Sequence, residues 1–146
     1  MVKPAEGYAL AVPIEVRFRD VDSMRHVNNA VYFTYFENAR IRYWRAVPGI
    51  GSRREIDYIL AHAECDFRSP ATTEDDLACH IRVVKFGRTS FVFEYLVRDE
   101  RSGRTVATGR TVQVMYDYEA GRAKVLAEEF KQAIRAFERR DIESAP

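Results

Sequence analysis

Three features of this sequence predict an α+β domain in which a curled antiparallel sheet wraps one long buried helix and a second helix lies on the surface. The first is the stretch 31–44, whose apolar residues fall at 31, 32, 33, 35, 36, 39, 41, 43 and 44. They cover most of a helix circumference, where a surface helix would carry one stripe. The second is a run of four alternating segments after that helix, separated by turn residues, which is the order of an antiparallel meander. The third is a closing segment with Leu126, Phe130, Ala133, Ile134 and Phe137 on one stripe, the mark of an amphipathic surface helix.

The elements follow in order. Ile14, Val16 and Phe18 alternate with Glu15, Arg17 and Arg19, predicting a first strand over Pro13–Arg19. The central helix has to end before Pro48-Gly49, since both residues stop helices. The segment 50–57, with Gly51, Ser52 and two arginines, reads as a surface loop. Ile59, Ala61, Ala63, Cys65 and Phe67 then alternate with Leu60, His62, Glu64, Asp66 and Arg68, a half-buried strand closed by Ser69-Pro70. Leu77, Cys79, Ile81 and Val83 make the next strand, and the phase slips at Val83-Val84, which predicts a bulge. The strand with Phe91, Phe93, Tyr95 and Val97 carries Val92 and Leu96 on its other face, so it is expected to be central or covered by a partner. Gly109 interrupts the last long strand, Arg104–Tyr116, predicting a bend or a close backbone approach. The turn Glu119-Ala120-Gly121 precedes the final helix, and the tail ESAP is expected to fray.

Composition narrows the function. A chain of 146 residues is most simply one domain, 1–146, large enough for a real core. Its 23 basic residues against 22 acidic leave a net charge of +1, so no global field draws it to nucleic acid or to a membrane. The N-terminus MVKPAEGYALAVP lacks the apolar core of a signal peptide, and a cytoplasmic location is the expectation. Cys65 and Cys79 form no metal-type or redox-type spacing and are expected to be buried free thiols. His62 and His80 fall on polar strand faces and suggest no metal site. No cofactor is expected.

Asp20, Asp22, His26, Asn28 and Asn29 place acid–base and capping chemistry at the mouth of the predicted buried helix. On spacing alone, Asp22 is a capping acid. Asp20 is a structural acid paired with Arg17, Arg19 or Arg40. Asn28 and Asn29 are a cap and a loop hydrogen-bonder. Glu37 and Arg40, three apart on the helix, read as a local ion pair, and Tyr32, Tyr35 and Phe36 as core or pocket lining.

The string F-R-D-V-D-S-M-R-H-V-N-N-A-V-Y, followed by Y-F-E-N-A-R, resembles the signature of hotdog-fold acyl thioesterases. These are the 4-hydroxybenzoyl-CoA thioesterase-like proteins and their acyl-ACP thioesterase relatives. The resemblance covers roughly residues 14–116 and implies a hotdog fold that hydrolyses an acyl-CoA, or an acyl-carrier-protein thioester. It implies that Asp22 is nucleophile or base toward water; His26 itself reads as a base, as a group that orients the thioester, or as a structural loop histidine. A backbone N–H near Asn29 would hold the thioester oxygen; on the reading of the residues themselves, Asn28 would contact substrate through its backbone and Tyr32 as pocket lining. The turn Gly87-Arg88-Thr89-Ser90-Phe91 would bring Arg88, Thr89 and Ser90 to the CoA phosphates.

Three positions depart from the pattern. Arg25 stands where many members have glycine, and Met24 where acyl-ACP thioesterases have a catalytic asparagine. Gly87 and Thr89 replace a more basic cluster. The alternatives are a hotdog hydratase or dehydratase and a non-catalytic acyl-CoA-binding domain. The two apolar faces of Phe91–Val97, and the edge that a lone curled sheet leaves, predict a homodimer or homotetramer with its site at the subunit boundary.

Overall fold

Period-two alternation over residues 58–117 becomes four long antiparallel strands, and the rest of the chain is laid against them. In the computed structural model, which describes residues 2–50 and 56–145, β1 is Leu10–Pro13, β2 Tyr58–Phe67, β3 Leu77–Phe86, β4 Ser90–Asp99 and β5 Thr105–Asp117. They line up in the order β1-β3-β4-β5-β2, so the doubly apolar β4 is central, as predicted. Two short strands complete a seven-stranded sheet: β6, Arg122–Ala123, on β5, and β7, Glu143–Ser144, parallel to β3. Glu143–Ser144 of the tail is therefore paired and not frayed. Of the predicted loop 50–57, residues 51–55 lie outside the described residues.

The first strand is shorter and earlier than expected. β1 pairs with β3 only as far as Pro13↔Ala78, and Ile14 N donates to Leu77 O at the end of that strand. Beyond it the edge of β3 runs out, and Asp20 Oδ2 captures the Arg17 N–H at 2.9 Å, folding Phe18–Asp20 into a 3-10 turn. The alternation in Pro13–Arg19 thus never meets a neighbouring strand.

Helix α1 spans Val31–Ala46 and ends just before Pro48-Gly49, as predicted. It buries one face: Tyr32, Tyr35, Phe36, Ala39, Arg40, Tyr43 and Trp44, a 3-4-3-4 spacing. The single chain does not by itself give the all-round burial expected for it, since Phe33 remains 39% exposed and Thr34, Glu37, Asn38 and Arg42 are exposed. Helix α2, Glu128–Glu138, seats Phe130 and Ile134 in the core, with Phe137 packed beside them, on the predicted stripe.

Two irregularities were legible. The register slips between Val83 and Lys85, as the phase change predicts. A Cβ on Gly109 would lie 2.4 Å from the Phe36 ring, so the glycine is a close approach of β5 to α1. Gly109→Ala is expected to cost about 1–3 kcal/mol through overpacking. An unchanged urea midpoint would show instead that the ring swings aside.

A chain of buried polar groups runs through the core, although the buried Trp44 indole Nε1 has no hydrogen-bond partner among the described residues. Arg40, 6% exposed, donates through Nη1 to Tyr95 OH at 3.3 Å, and Tyr95 OH meets Thr111 Oγ1 at 2.5 Å. Thr111 bonds Gln113, whose Nε2 donates to Phe91 O at 3.1 Å. Arg40 thus turns inward, and among the described residues no ion pair joins it to Glu37. His80 is likewise not on a polar face. Residues 5–8 cover it, with Ala5 N donating to Nδ1 at 3.0 Å and Glu100 at 2.5 Å from Nε2. Burial pulls its pKa below the ordinary imidazole value against the pull of Glu100. Cys79 is buried and Cys65 half-buried, both free.

At the C-terminal end, the side chain of Glu138 enters the β3 bulge. Its Oε2 accepts the Val83 N–H at 2.7 Å and bonds Tyr43 OH, while Arg140 Nη2 lies 3.0 Å from Oε1.

Candidate active site

The loop before α1 folds on itself because its backbone pairs internally. Val21 and Val27 form an isolated antiparallel bridge, Asp22 N donates to His26 O, and Arg25 N donates to Asp22 O, both at 2.9 Å. So tight a closure sets Arg25 at φ 64°, the left-handed region that glycine enters at no steric cost. That requirement explains why glycine suits the position, and Arg25 meets it with the same backbone. The loop is tethered by Val27 N to Ala71 O and Asn28 N to Asp20 O, both at 2.8 Å.

This folding decides what each acid can do. Asp22 is half-buried, and its Oδ1 accepts the N–H groups of Met24 at 2.9 Å and His26 at 3.4 Å. Oδ2 has no partner among the described residues. The carboxylate caps its own loop and not the helix, whose N-cap, Ala30, has no side-chain bond. Asp20 has neither oxygen on a guanidinium, contrary to expectation. Its Oδ2 accepts the Arg17 backbone N–H and, at 3.1 Å, Tyr35 OH. Burial and that neighbouring carboxylate hold the Tyr35 phenol protonated, its pKa well above the usual value.

Asn28 acts as the local cap, its Oδ1 accepting Ala30 N–H at 2.9 Å and its carbonyl accepting Val31 N–H at 3.0 Å. Between these two, the Asn29 N–H is unclaimed among the described residues. It sits at the positive end of the helix dipole. Tyr32 is 2% exposed and edge-on to Tyr35 and Phe67, and burial pushes its phenol up to about 12. It packs as part of the core beneath this loop.

The structure gathers Asp22, His26, Asn28, Asn29 and Tyr32 at one end of the sheet, near Phe67, Ala71 and the start of β3. Arg88, Thr89 and Ser90 it does not bring there. They close the other end of the β3–β4 hairpin, where Arg88 O accepts Leu126 N–H and Thr89 O accepts Met115 N–H. A ten-residue strand such as β3 spans about 30 Å.

One group escaped the sequence reading. An open cleft of about 590 Å³ runs from the segment after β1 to the outer face of α1. Arg17, Arg19, Arg42 and Arg45 line it together with Glu15 and Asp20. The polar stripe Asn38, Arg42 and Arg45 on the helix was its only signal. Among the described residues, no group of three or more His, Cys, Asp or Glu is placed to hold a metal ion, and no helix is long and apolar enough to cross a membrane.

Comparison with known proteins agrees with this geometry. Residues 16–134 match the family model of the thioesterase-like superfamily. A thioesterase from Thermus thermophilus, crystallised with coenzyme A and zinc, superposes with a TM-score of 0.84 at 36% identity, over 94% of this chain and 100% of that one. The long-chain acyl-CoA thioesterase FadM of Escherichia coli is 25% identical over 126 residues, 83% of this chain and 93% of FadM. An uncharacterised Bacillus subtilis protein, YsmA, is 26% identical over 121 residues, 83% of this chain and 82% of its own.

Proposed function

The chain belongs to the thioesterase-like superfamily of hotdog-fold proteins, and from that membership we propose that Asp22 drives hydrolysis of an acyl-CoA to free acid and CoA. It is a thioester hydrolase. The observation that carries the assignment is the Asp22 carboxylate, with one oxygen anchored by two backbone N–H groups and the other free. The free Oδ2 either attacks the thioester carbonyl, giving a mixed anhydride that water then opens, or takes the proton of an attacking water. Both routes put negative charge on the carbonyl oxygen and expel the CoA thiolate, which is then protonated. The Asn29 N–H and the helix terminus are suited to that oxyanion, and one such donor contributes roughly 3 kcal/mol in the transition state. Asn28 fixes the donor's backbone, His26 borders the loop and orients the thioester, and Tyr32 walls the acyl side.

The bound coenzyme A of the Thermus enzyme and the substrate named for FadM support an acyl-CoA as substrate. The test is a panel of aliphatic and aromatic acyl-CoAs in the presence of a thiol reagent. Free CoA release in proportion to enzyme is expected, and its absence across the panel would refute the reading.

We also propose that α1 becomes the enclosed central helix of the fold, and the site a subunit boundary, through pairing with a second copy. Among the described residues β2 pairs only with β5, and Ile59, Leu60 and Phe67 along it are exposed. An open edge of that kind is a template for another strand. The Arg88 turn can reach a thioester at Asp22 only from such a second copy. Light scattering at micromolar concentration should give two or four times the 16.9 kDa of one chain. A fully active monomer would overturn the proposal.

A further inference from the structure

We propose that the cleft on the outer face of α1 holds the phosphates of the CoA leaving group, with Arg17, Arg19, Arg42 and Arg45 as their partners. The inference rests on the thioesterase reading and deepens it.

Position comes first. Asp20 lines the cleft and lies two residues before Asp22, and Tyr35, bonded to Asp20, forms part of the same wall. One end of the cleft therefore lies at the base of the loop that carries Asp22, although Asp22 itself does not line it. The Arg88 turn, at the far end of β3, has no such access within the chain.

Charge comes next. Several other arginines find acids, Arg82 with Glu94 at 2.9 Å, Arg98 with Glu100 at 2.8 Å and Arg104 with Asp75 at 3.1 Å. Those without an acid among the described residues, such as Arg88, Arg110 and Arg122, are not gathered in this cleft. None of the four cleft arginines has an acidic side-chain partner among the described residues. Arg42 and Arg45 sit three apart on one helix, where like charges repel. Glu15 offers no bond to any of them, and Asp20 spends its carboxylate on the Arg17 backbone and Tyr35. Four cations against two acids is an arrangement that folding alone does not reward and that a bound polyanion relieves.

Chemistry then selects the ligand. The nucleotide end of CoA carries a 3′-phosphomonoester of about two negative charges near neutral pH and a diphosphate. A carrier-protein arm brings one phosphodiester, too little for four guanidinium groups. Guanidinium forks match phosphate oxygens in pairs and stack on planar bases. Ile14 and Ile41 between them give apolar surface for an adenine. The volume of about 590 Å³ also suits a ligand fragment of this size.

Calorimetry with CoA and 3′-dephospho-CoA on the full-length protein tests this independently of turnover. Arg42→Ala with Arg45→Ala should weaken CoA binding by about tenfold or more and erase the preference for CoA over 3′-dephospho-CoA. Both residues are exposed, and an unshifted unfolding curve will show that the fold is kept. The Arg42→Lys, Arg45→Lys variant, which keeps charge and loses the forks, should fall between. Steady-state kinetics should show KM for acyl-CoA rising with kcat little changed. Unaltered CoA affinity in the alanine variant overturns the proposal, and so does a larger effect of Arg88→Ala or a change in subunit mass without a change in affinity. If the wild type hydrolyses no thioester yet binds CoA through Arg42 and Arg45, the phosphate cleft stands and the hydrolase assignment to Asp22 falls.

Discussion

Asp22→Asn is expected to lower kcat roughly 10²–10⁴-fold while leaving thermal unfolding close to wild type. The asparagine keeps an oxygen that can accept the Met24 and His26 N–H groups, so the loop stays closed. What it loses is the charge on the second oxygen, the atom with no structural duty. A purely structural Asp22 predicts the reverse pattern, with a lower melting temperature and near-normal turnover. His26→Ala should cost less, because the imidazole makes no bond to the Asp22 carboxylate; only its backbone N–H does. The relative losses of kcat in the two variants separate the two candidates. A dead His26→Ala beside an active Asp22→Asn would sink this mechanism and leave the fold untouched.

What the sequence showed of this molecule follows from how local each signal is. β2 to β5 and the α2 stripe were legible because period-two and 3.6-residue patterns survive any tertiary arrangement. The Val83 bulge and the Gly109 approach were legible because a phase slip and a lone strand glycine each have few structural meanings. Pro13–Arg19 misled because alternation needs a neighbouring strand, and β3 ends at Leu77 just as the pattern begins. His80 and Arg40 misled for the opposite reason. Their polar atoms are satisfied 75 and 55 residues away, by Ala5 and Tyr95, and no window holds both partners. Around the candidate site, the motif singled out Asp22 and Asn29 but could not show the bonds that leave Oδ2 and one N–H unclaimed among the described residues. The arginine cleft depends on Arg17 and Arg19 folding back over α1, a consequence of the 3-10 turn that the strand reading missed.

The largest expected effect on stability belongs to Glu138. Its side chain is 1% exposed and serves the very bulge that breaks the β3 ladder. There the Val83 N–H finds Oε2 at 2.7 Å, the Tyr43 hydroxyl bonds the same oxygen, and the Arg140 guanidinium bonds both Glu138 and Val83 O. One carboxylate thereby joins α1, β3 and the C-terminal segment that continues into β7. Glu138→Ala leaves a buried N–H and a buried hydroxyl without acceptors and Arg140 without its ion partner. The loss should be about 3–5 kcal/mol, the range for breaking a buried ionic contact from one side, or a fall on the order of 10 °C in Tm. Glu138→Gln keeps an acceptor and should lose less. Burial raises the Glu138 pKa above the ordinary glutamate value, against the hydrogen bond from Tyr43 and the pull of Val83 and Arg140. A folded pKa above the unfolded one means that the folded state holds the proton more tightly. The stability this adds is complete below the ordinary glutamate range and is lost as pH rises through the folded value. Urea denaturation of the wild type and the glutamine variant across that range should show the wild-type advantage shrinking as pH rises. An advantage that grows instead would mean that the ionised carboxylate is the favoured form, and that the Arg140 contact outweighs burial.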